Sequence, residues 1–353
     1  MKRTVNIKAM ISYNTYDTHV IMSTKHILPF VLFCLTFGLS LVSCSRDDDD
    51  ESSSEQPDSP ARYISPVFSS VTTTSVNFID GDNLSMDIYR PQGDENRSRP
   101  VILYAHAGSF FDGSKASQEA QRFCEDFAKR GYVTVNIEYR LGSGIQILND
   151  SIEMMSVIVR GVHDMKAALR FMRRSFENNN TYGIDTSRII VAGSGAGATI
   201  ALHTAFMNNQ QVIPLHIAQI LLAEGGLHGL RGNQNYSNRS HACVNLAGGL
   251  NNLSFMEANG PVLFSAQGSQ DDNFPFLCGK VFESFPPTTD RLRLCGARAL
   301  EMQAESLQIP NGILRFQGES HRPWVDGSSR PNARFDDVVD SVSVFLFDNL
   351  INN

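Results

Sequence analysis

Four turns of the 353-residue chain collect the side chains from which acid–base and nucleophilic chemistry is made. Each turn follows a short apolar or β-branched run. In LYAHAGSFFDGSK a histidine, His106, leads into small residues. In RIIVAGSGAGATIALH, residues 188–203, a strand meets a helix through glycines, which allow close backbone approach and let the helix pack on the sheet. AQGSQDDNFPF presents Asp271 and Asp272, and FQGESHRPW presents His321. Hydroxyl, carboxylate and imidazole are the groups that transfer protons and activate nucleophiles. No His-rich ligand spacing and no phosphate loop ending in Gly-Lys-Ser/Thr is present, so neither a metal nor a nucleotide cofactor is implied. The cysteine spacing matches no zinc site.

From residue 62 onward, β-branched or apolar runs alternate with segments of helical period, the pattern of a mostly parallel sheet with helices on both faces, an α/β class. The expected strands are residues 71–79, 84–91, 100–107, 132–140, 188–193, 261–268 and 313–318. The first two form a hairpin because IDGDN supplies Gly and Asn at the turn. The expected helices are residues 116–131, 156–179, 196–208 and 336–352. Residues 221–241, LLAEGGLHGLRGNQNYSNRSH, read as a loop-rich excursion, and residues 62–353 as one domain.

The run 188–203 resembles the nucleophile elbow of α/β-hydrolases, and LYAHAGSFFDGSK resembles the HGGG-type loop of esterases and lipases. MDIYRP, FAKRGYVTVNIEYRLG and VHDMKAALRFMRR followed by YGIDTSRIIVAG extend the likeness over nearly all of residues 83–325. The chain is thus similar to secreted carboxylesterases and lipases of the α/β-hydrolase fold. The resemblance implies an ester substrate, as a small molecule or an acylated glycan, and no cofactor. It implies Asp271 as the triad acid, with Asp272 as the alternative, and His321 as the general base. Backbone amides of Ala107, Gly108 and Ala196 would form the oxyanion hole, with His106 organising the loop by hydrogen bonding.

At the decisive position the chain departs from the family. G-x-S-x-G falls on Gly193, Ser194, Gly195, Ala196 and Gly197, so the nucleophile position is Gly195. Without an Oγ, no acyl-enzyme forms there. A one-residue slide of the turn would make Ser194 the nucleophile. Ala107 stands where the family's loop has glycine, a mild change unless its φ is positive. Three readings follow: an impaired ester hydrolase, a pseudoenzyme that binds an ester, acylated glycan or protein, and a serine esterase using Ser194. A fourth is an inactivating variant in an active lineage. Phe110 and Phe111 are expected to line an acyl or alcohol pocket. Phe274, Phe276 and Trp324, the only tryptophan, are expected to pack, and His163 to sit at the surface.

The N-terminal part reads as an export signal. Residues 27–43, ILPFVLFCLTFGLSLVS, are a secretion h-region preceded by Lys25 and His26, and LVSC resembles a lipobox ending in Cys44. Met22 opens a signal of usual length, which makes residues 1–21 an over-called start and residues 22–43 the signal peptide. Residues 44–61 follow as a lipidated Cys44 and flexible acidic tether. The block Asp47–Glu51 resembles the acidic signal of some surface-exposed lipoproteins of Gram-negative bacteria; a solvated spacer is the alternative. The expected location is the bacterial outer membrane. Residues 1–43 carry four basic side chains and one acidic, and residues 44–58 one basic and seven acidic, so most of the net charge of −7 sits on the tether. The remaining body has no basic field for nucleic acid. With Cys34 in the signal and Cys44 lipidated, Cys124, Cys243, Cys278 and Cys295 remain. Cys278 and Cys295 are the nearest pair for a disulfide in an oxidising compartment, and four buried thiols are the alternative.

Overall fold

The computed structural model describes residues 61–352 except 80, 82 and 286–289. The expected lead 1–21, the signal 22–43, Cys34, Cys44 and all of the tether but residue 61 lie outside the described residues. The chain builds β1 (Val71–Asn77), β2 (Ser85–Pro91), β3 (Arg99–Ala105), α1 (Gln118–Lys129), β4 (Val133–Ile137), α2 (Ser151–Glu177), β5 (Ile184–Ser194) and α3 (Ala196–Phe206). It continues through α4 (Leu215–Ala223), β6 (Ala242–Leu246), β7 (Val262–Gly268), β8 (Cys278–Lys280), β9 (Arg293–Cys295), α5 (Ala297–Ser306), β10 (Asn311–Phe316) and α6 (Arg334–Leu346).

Eight strands form one sheet in the order β1-β2-β4-β3-β5-β6-β7-β10. The hairpin β1–β2 and the pair β2–β4 are antiparallel, and every other pair is parallel. β3 is buried throughout because helices cover both faces, which is why it reads as an unbroken apolar run rather than an alternation. Val101 and Leu103 face a core formed with α2 and α3; Ile102 and Tyr104 face the core beneath α1 and α6.

Several elements depart from the sequence expectation. α2 begins at Ser151, five residues early, because the Asp150 carboxylate caps the amides of Ile152 and Glu153. β6, α4, α5 and the β8–β9 pair were not expected. β6 is only Ala-Cys-Val-Asn-Leu, and its central Asn245 breaks the apolar signal. Inside the sheet that amide donates to Ser265 Oγ at 3.2 Å and accepts from Gly248 N–H at 2.8 Å. Cys278 and Cys295 pair as a disulfide across β8 and β9, while Cys124 and Cys243 are buried free thiols.

His163 is not a surface residue. It is 1% exposed on α2, because residues 224–241 lie across that helix, and burial together with the charge of Lys166 pushes its pKa down to about 4. His203 on α3 is equally enclosed. Its Nδ1–H donates to Thr199 O at 2.7 Å and its Nε2 accepts from Asn251 N–H at 3.3 Å, a neutral tautomer. Burial lowers its pKa to about 4. An imidazole depressed in the folded state leaves the unfolded chain binding more protons between about pH 4 and 6.5, so stability falls as pH drops through that window. For His203 the shift corresponds to about 3 kcal/mol at the acid end. Urea unfolding at pH 7 and pH 4.5 should show His203→Gln losing less stability on acidification than the native chain. An unchanged difference between the two pH values would refute the assignment.

Candidate active site

The four turns meet at the carboxyl ends of neighbouring parallel strands, where open α/β sheets bind their ligands. His106 follows β3, Gly195 follows β5, Asp271 lies three residues beyond β7, and His321 follows β10. His321 Nδ1–H donates to Asp271 Oδ2 at 2.9 Å. The other oxygen of Asp271 accepts from the amides of Asn273 and Phe274, both at 2.9 Å, and Gln267 Nε2 donates to Oδ2 at 3.0 Å. Four donors thus hold the acid in one orientation, which fixes the tautomer of His321. Phe274 stacks on the imidazole at 5.4 Å between centroids. Asp272 points elsewhere, accepting weakly from Ser284 and Ser320.

Between β5 and α3, Gly195 has φ 52° and ψ −111°, a left-handed conformation that strains any residue with a Cβ. Its N–H is anchored to Leu246 O at 2.8 Å. A Cβ built there would lie 3.5 Å from His321 Nε2 and 3.8 Å from the Ala107 methyl, ordinary contact distances. A side chain at this position would therefore point at the His321 imidazole. The flanking Gly197 serves a different purpose: a Cβ there would stand 2.0 Å from Ala105 O, so only glycine lets α3 approach β3.

The loop after β3 supplies the facing wall. Ala107 is not among the residues with positive φ, so alanine in place of glycine carries no backbone cost. Gly108 has φ 145°, and Ser109 and Phe110 both adopt left-handed conformations. Burial of Phe110 and a hydrogen bond from Gly142 N–H to Phe110 O, 2.8 Å, hold this strained stretch. His106 is fully buried, with Nδ1 2.8 Å from Ala107 O, its ring stacked on Tyr139, and its own carbonyl accepting from Tyr139 Oη at 2.9 Å. Across the gap, Ala196 opens α3, where its N–H has no intrahelical acceptor and the helix dipole favours negative charge.

Ser194 does not face this gap. It is fully buried, and its hydroxyl donates to Glu119 Oε1 at 2.8 Å on the far side of the sheet end. The same oxygen accepts from Trp324 Nε1 at 2.8 Å, and Glu119 Oε2 pairs with Arg322 Nη1 at 2.7 Å. A slide of the turn that freed Ser194 would break this network, so the alternative nucleophile is structural. Ser194→Ala should cost about 1 kcal/mol in urea unfolding and leave ester hydrolysis unchanged; a loss of hydrolysis would reinstate it as the nucleophile.

A pocket of about 220 Å³ lies over Gly195, lined among others by Ala107, Gly108, Ala196, Phe274, His321 and Arg322. Through Ser109, Phe111 and Asn273 it adjoins an apolar groove of about 480 Å³ walled by Ile145, Leu148, Phe282 and Phe285. Phe111 thus lines the cavity as expected, whereas Phe110 packs inside the core. Phe276 lies outside both pockets, with Arg315 over its ring at 5.0 Å. Among the described residues no group of three or more His, Cys, Asp or Glu is arranged to hold a metal ion.

The BD-FAE family matches residues 86–259. Lipase 1 of Geotrichum candidum is 27% identical over 125 residues, 35% of this chain and 22% of that protein. Gut esterase 1 of Caenorhabditis elegans is 28% identical over 117 residues, 33% of this chain and 20% of that one. The match thus spans about a fifth of the length of these relatives. Native esterase 2 of Thermogutta terrifontis superposes with a TM-score of 0.56 at 19% identity, covering 82% of this chain and 95% of that one. The same esterase is also known phosphorylated by paraoxon. The chain has the α/β-hydrolase fold. Within this fold the sequence did not point to Glu119, Gln267 or Tyr139. Glu119 sits in the first turn of a helix, where an acid is ordinary, so nothing local signals its burial at 2% exposure.

Proposed function

We propose that this pocket binds a carboxylic ester, free or carried on a glycan, and holds its carbonyl in the oxyanion hole without forming an acyl-enzyme. The observation that carries this is the empty Cβ position of Gly195, 3.5 Å from His321 Nε2 inside an assembled acid–base pair. Ala196 and the loop at Ala107–Gly108 line the pocket, which supports their amides as receivers of a carbonyl oxygen, and the Phe111 groove would take an apolar acyl or alcohol group. A slow chemical route remains in which water attacks the carbonyl carbon as its proton passes to His321 Nε2, which returns a proton to the departing alcohol oxygen as the acyl C–O bond breaks. Loss of a triad nucleophile lowers turnover by about a million-fold. The N-terminal reading supports presentation outside the cytoplasm on a lipid anchor at Cys44.

The test uses the full chain, with butyl butyrate as ligand and Trp324 fluorescence as reporter, since this only tryptophan shares Glu119 with the pocket-lining Arg322. Saturable binding with the ester recovered intact, weakened by Phe111→Ala, is the expected result. Paraoxon should leave no phosphoryl adduct detectable by mass spectrometry. Rapid hydrolysis of the ester, or a phosphorylated serine, would overturn the proposal.

A further inference from the structure

We infer that the domain carries a second binding site, at the opposite end of the strands, that recognises an acidic glycan. α3 starts at Gly195's pocket and runs eleven residues, about 16 Å, to Phe206. Beyond that end lies a groove of about 930 Å³ lined by Phe206, Asn208, His228, Arg239 and Ser240. His241 and Pro261, also on its wall, directly precede β6 and β7, so the groove sits at the amino ends of the strands. A cavity of about 520 Å³ continues it, sharing Asn208, Leu227, His228 and Arg239.

Arg170 of α2 and Arg239 stand on the wall of the smaller cavity. Behind that wall α2 also carries Lys166 and Arg173 at helical spacing, and all three α2 side chains donate to backbone carbonyls of residues 224–241. Lys166 donates to Leu227 O at 2.9 Å, Arg170 to Gly232 O and His228 O at 3.0 Å and to Arg231 O, and Arg173 to Ser237 O and Arg239 O. Carbonyls satisfy the N–H groups but leave the charge of Arg170 and Arg173 uncompensated, whereas burial and the neighbouring Arg170 bring the Lys166 pKa down to about 7, so that it is only partly charged at neutral pH. Asp164 is neutralised by Arg140 and Arg231, and the one carboxylate among the described residues on the wall of the larger groove, Glu257, accepts from Asn209. No carboxylate lines the smaller cavity. On its wall the exposed Arg239 guanidinium makes no side-chain hydrogen bond or ion pair among the described residues.

The remaining lining is suited to hydroxyl groups. Gln234, Asn238 and the Tyr236 ring stand around the smaller cavity. Asn208 Oδ1 and the hydroxyl of Ser240, a residue only 9% exposed, are buried without a hydrogen-bond partner. Unpaired buried polar atoms on a cavity wall call for a donor, and a sugar hydroxyl supplies one. A sugar carboxylate fits Arg239 as a bidentate partner. Beyond the acidic tether the composition gives no extended basic field, which a long polyanion such as nucleic acid needs.

Isothermal titration of the full chain tests this with trigalacturonate, a glucuronic-acid-substituted xylotriose and a chondroitin tetrasaccharide, beside neutral galactotriose and inorganic sulfate. At least one acidic oligosaccharide should bind about tenfold or more tighter than galactotriose and sulfate. Arg239→Gln should weaken it by a similar factor, and Gly195→Ser should leave it unchanged, which separates this site from the ester pocket. Because Arg239 is exposed, the variant keeps the fold, checked by circular dichroism. Failure of all three acidic ligands, equal binding of sulfate or galactotriose, or indifference to Arg239→Gln would each overturn the inference.

Discussion

Gly195→Ser is expected to turn the chain into a working ester hydrolase, raising kcat/KM for p-nitrophenyl butyrate by at least about a thousandfold over the native chain. The surroundings of Gly195 carry this expectation. The Cβ fits without a clash, His321 Nε2 faces it at 3.5 Å, and the base is already held by Asp271 at 2.9 Å. In a rotamer turned toward the imidazole, an oxygen one bond further out comes within hydrogen-bond reach, the geometry a nucleophile–base pair needs. The cost is conformational. At φ 52° and ψ −111° a serine is strained where glycine is not, so the variant should lose about 1–3 kcal/mol in urea unfolding. Activity gained at the expense of stability is the joint signature. Adding His321→Ala to that variant should return hydrolysis to the native level, and paraoxon should then label only the protein carrying Gly195→Ser. A folded Gly195→Ser chain that remains as inactive as the native one would show that the oxyanion loop, with Ala107, does not support the tetrahedral intermediate.

Glu119→Ala is expected to cost about 3–5 kcal/mol of stability. Three groups lose their acceptor at once: the Arg322 guanidinium, the Trp324 indole N–H and the Ser194 hydroxyl. Arg322 and Trp324 closely follow His321 in the chain, and Ser194 precedes Gly195, so one buried carboxylate ties the two turns together. Glu119→Gln keeps an acceptor for the neutral donors but leaves Arg322 without its counter-charge, and its loss should be intermediate. In the Gly195→Ser background, Glu119→Gln should lower kcat more than it raises KM, since the ester contacts remain and only the placement of the base changes. A stability loss under 1 kcal/mol for Glu119→Ala would mean that the ion pair contributes little beyond its own desolvation cost.

Much of the site was legible because its determinants are local. The glycine register between RIIVAG and ATIALH placed the elbow, and GSQDDNFP and GESHRPW placed an acid and an imidazole after strands. What the residues could not show was direction. Ser194 and Gly195 are neighbours in the chain, yet one faces Glu119 and the other the pocket, because successive side chains at a strand end point to opposite faces. His163 looked like a surface residue on an amphipathic helix until residues 224–241 were seen to cover it. β6 was hidden by an Asn245 that is ordinary only between β5 and β7, where its amide finds partners.

The sequence by itself determined the alternation of strands and helices, the order of the four turns, and the absence of a hydroxyl at Gly195; turn chemistry and periodicity act over a few residues and are written in composition. Only the tertiary structure decided which aspartate meets His321, that Ser194 is sealed, and that Glu119 bridges the two turns. Glu119 lies 75 residues from Ser194, 203 from Arg322 and 205 from Trp324. Contacts at such separations arise from the packing of α1 against the strand ends, and no local pattern encodes them.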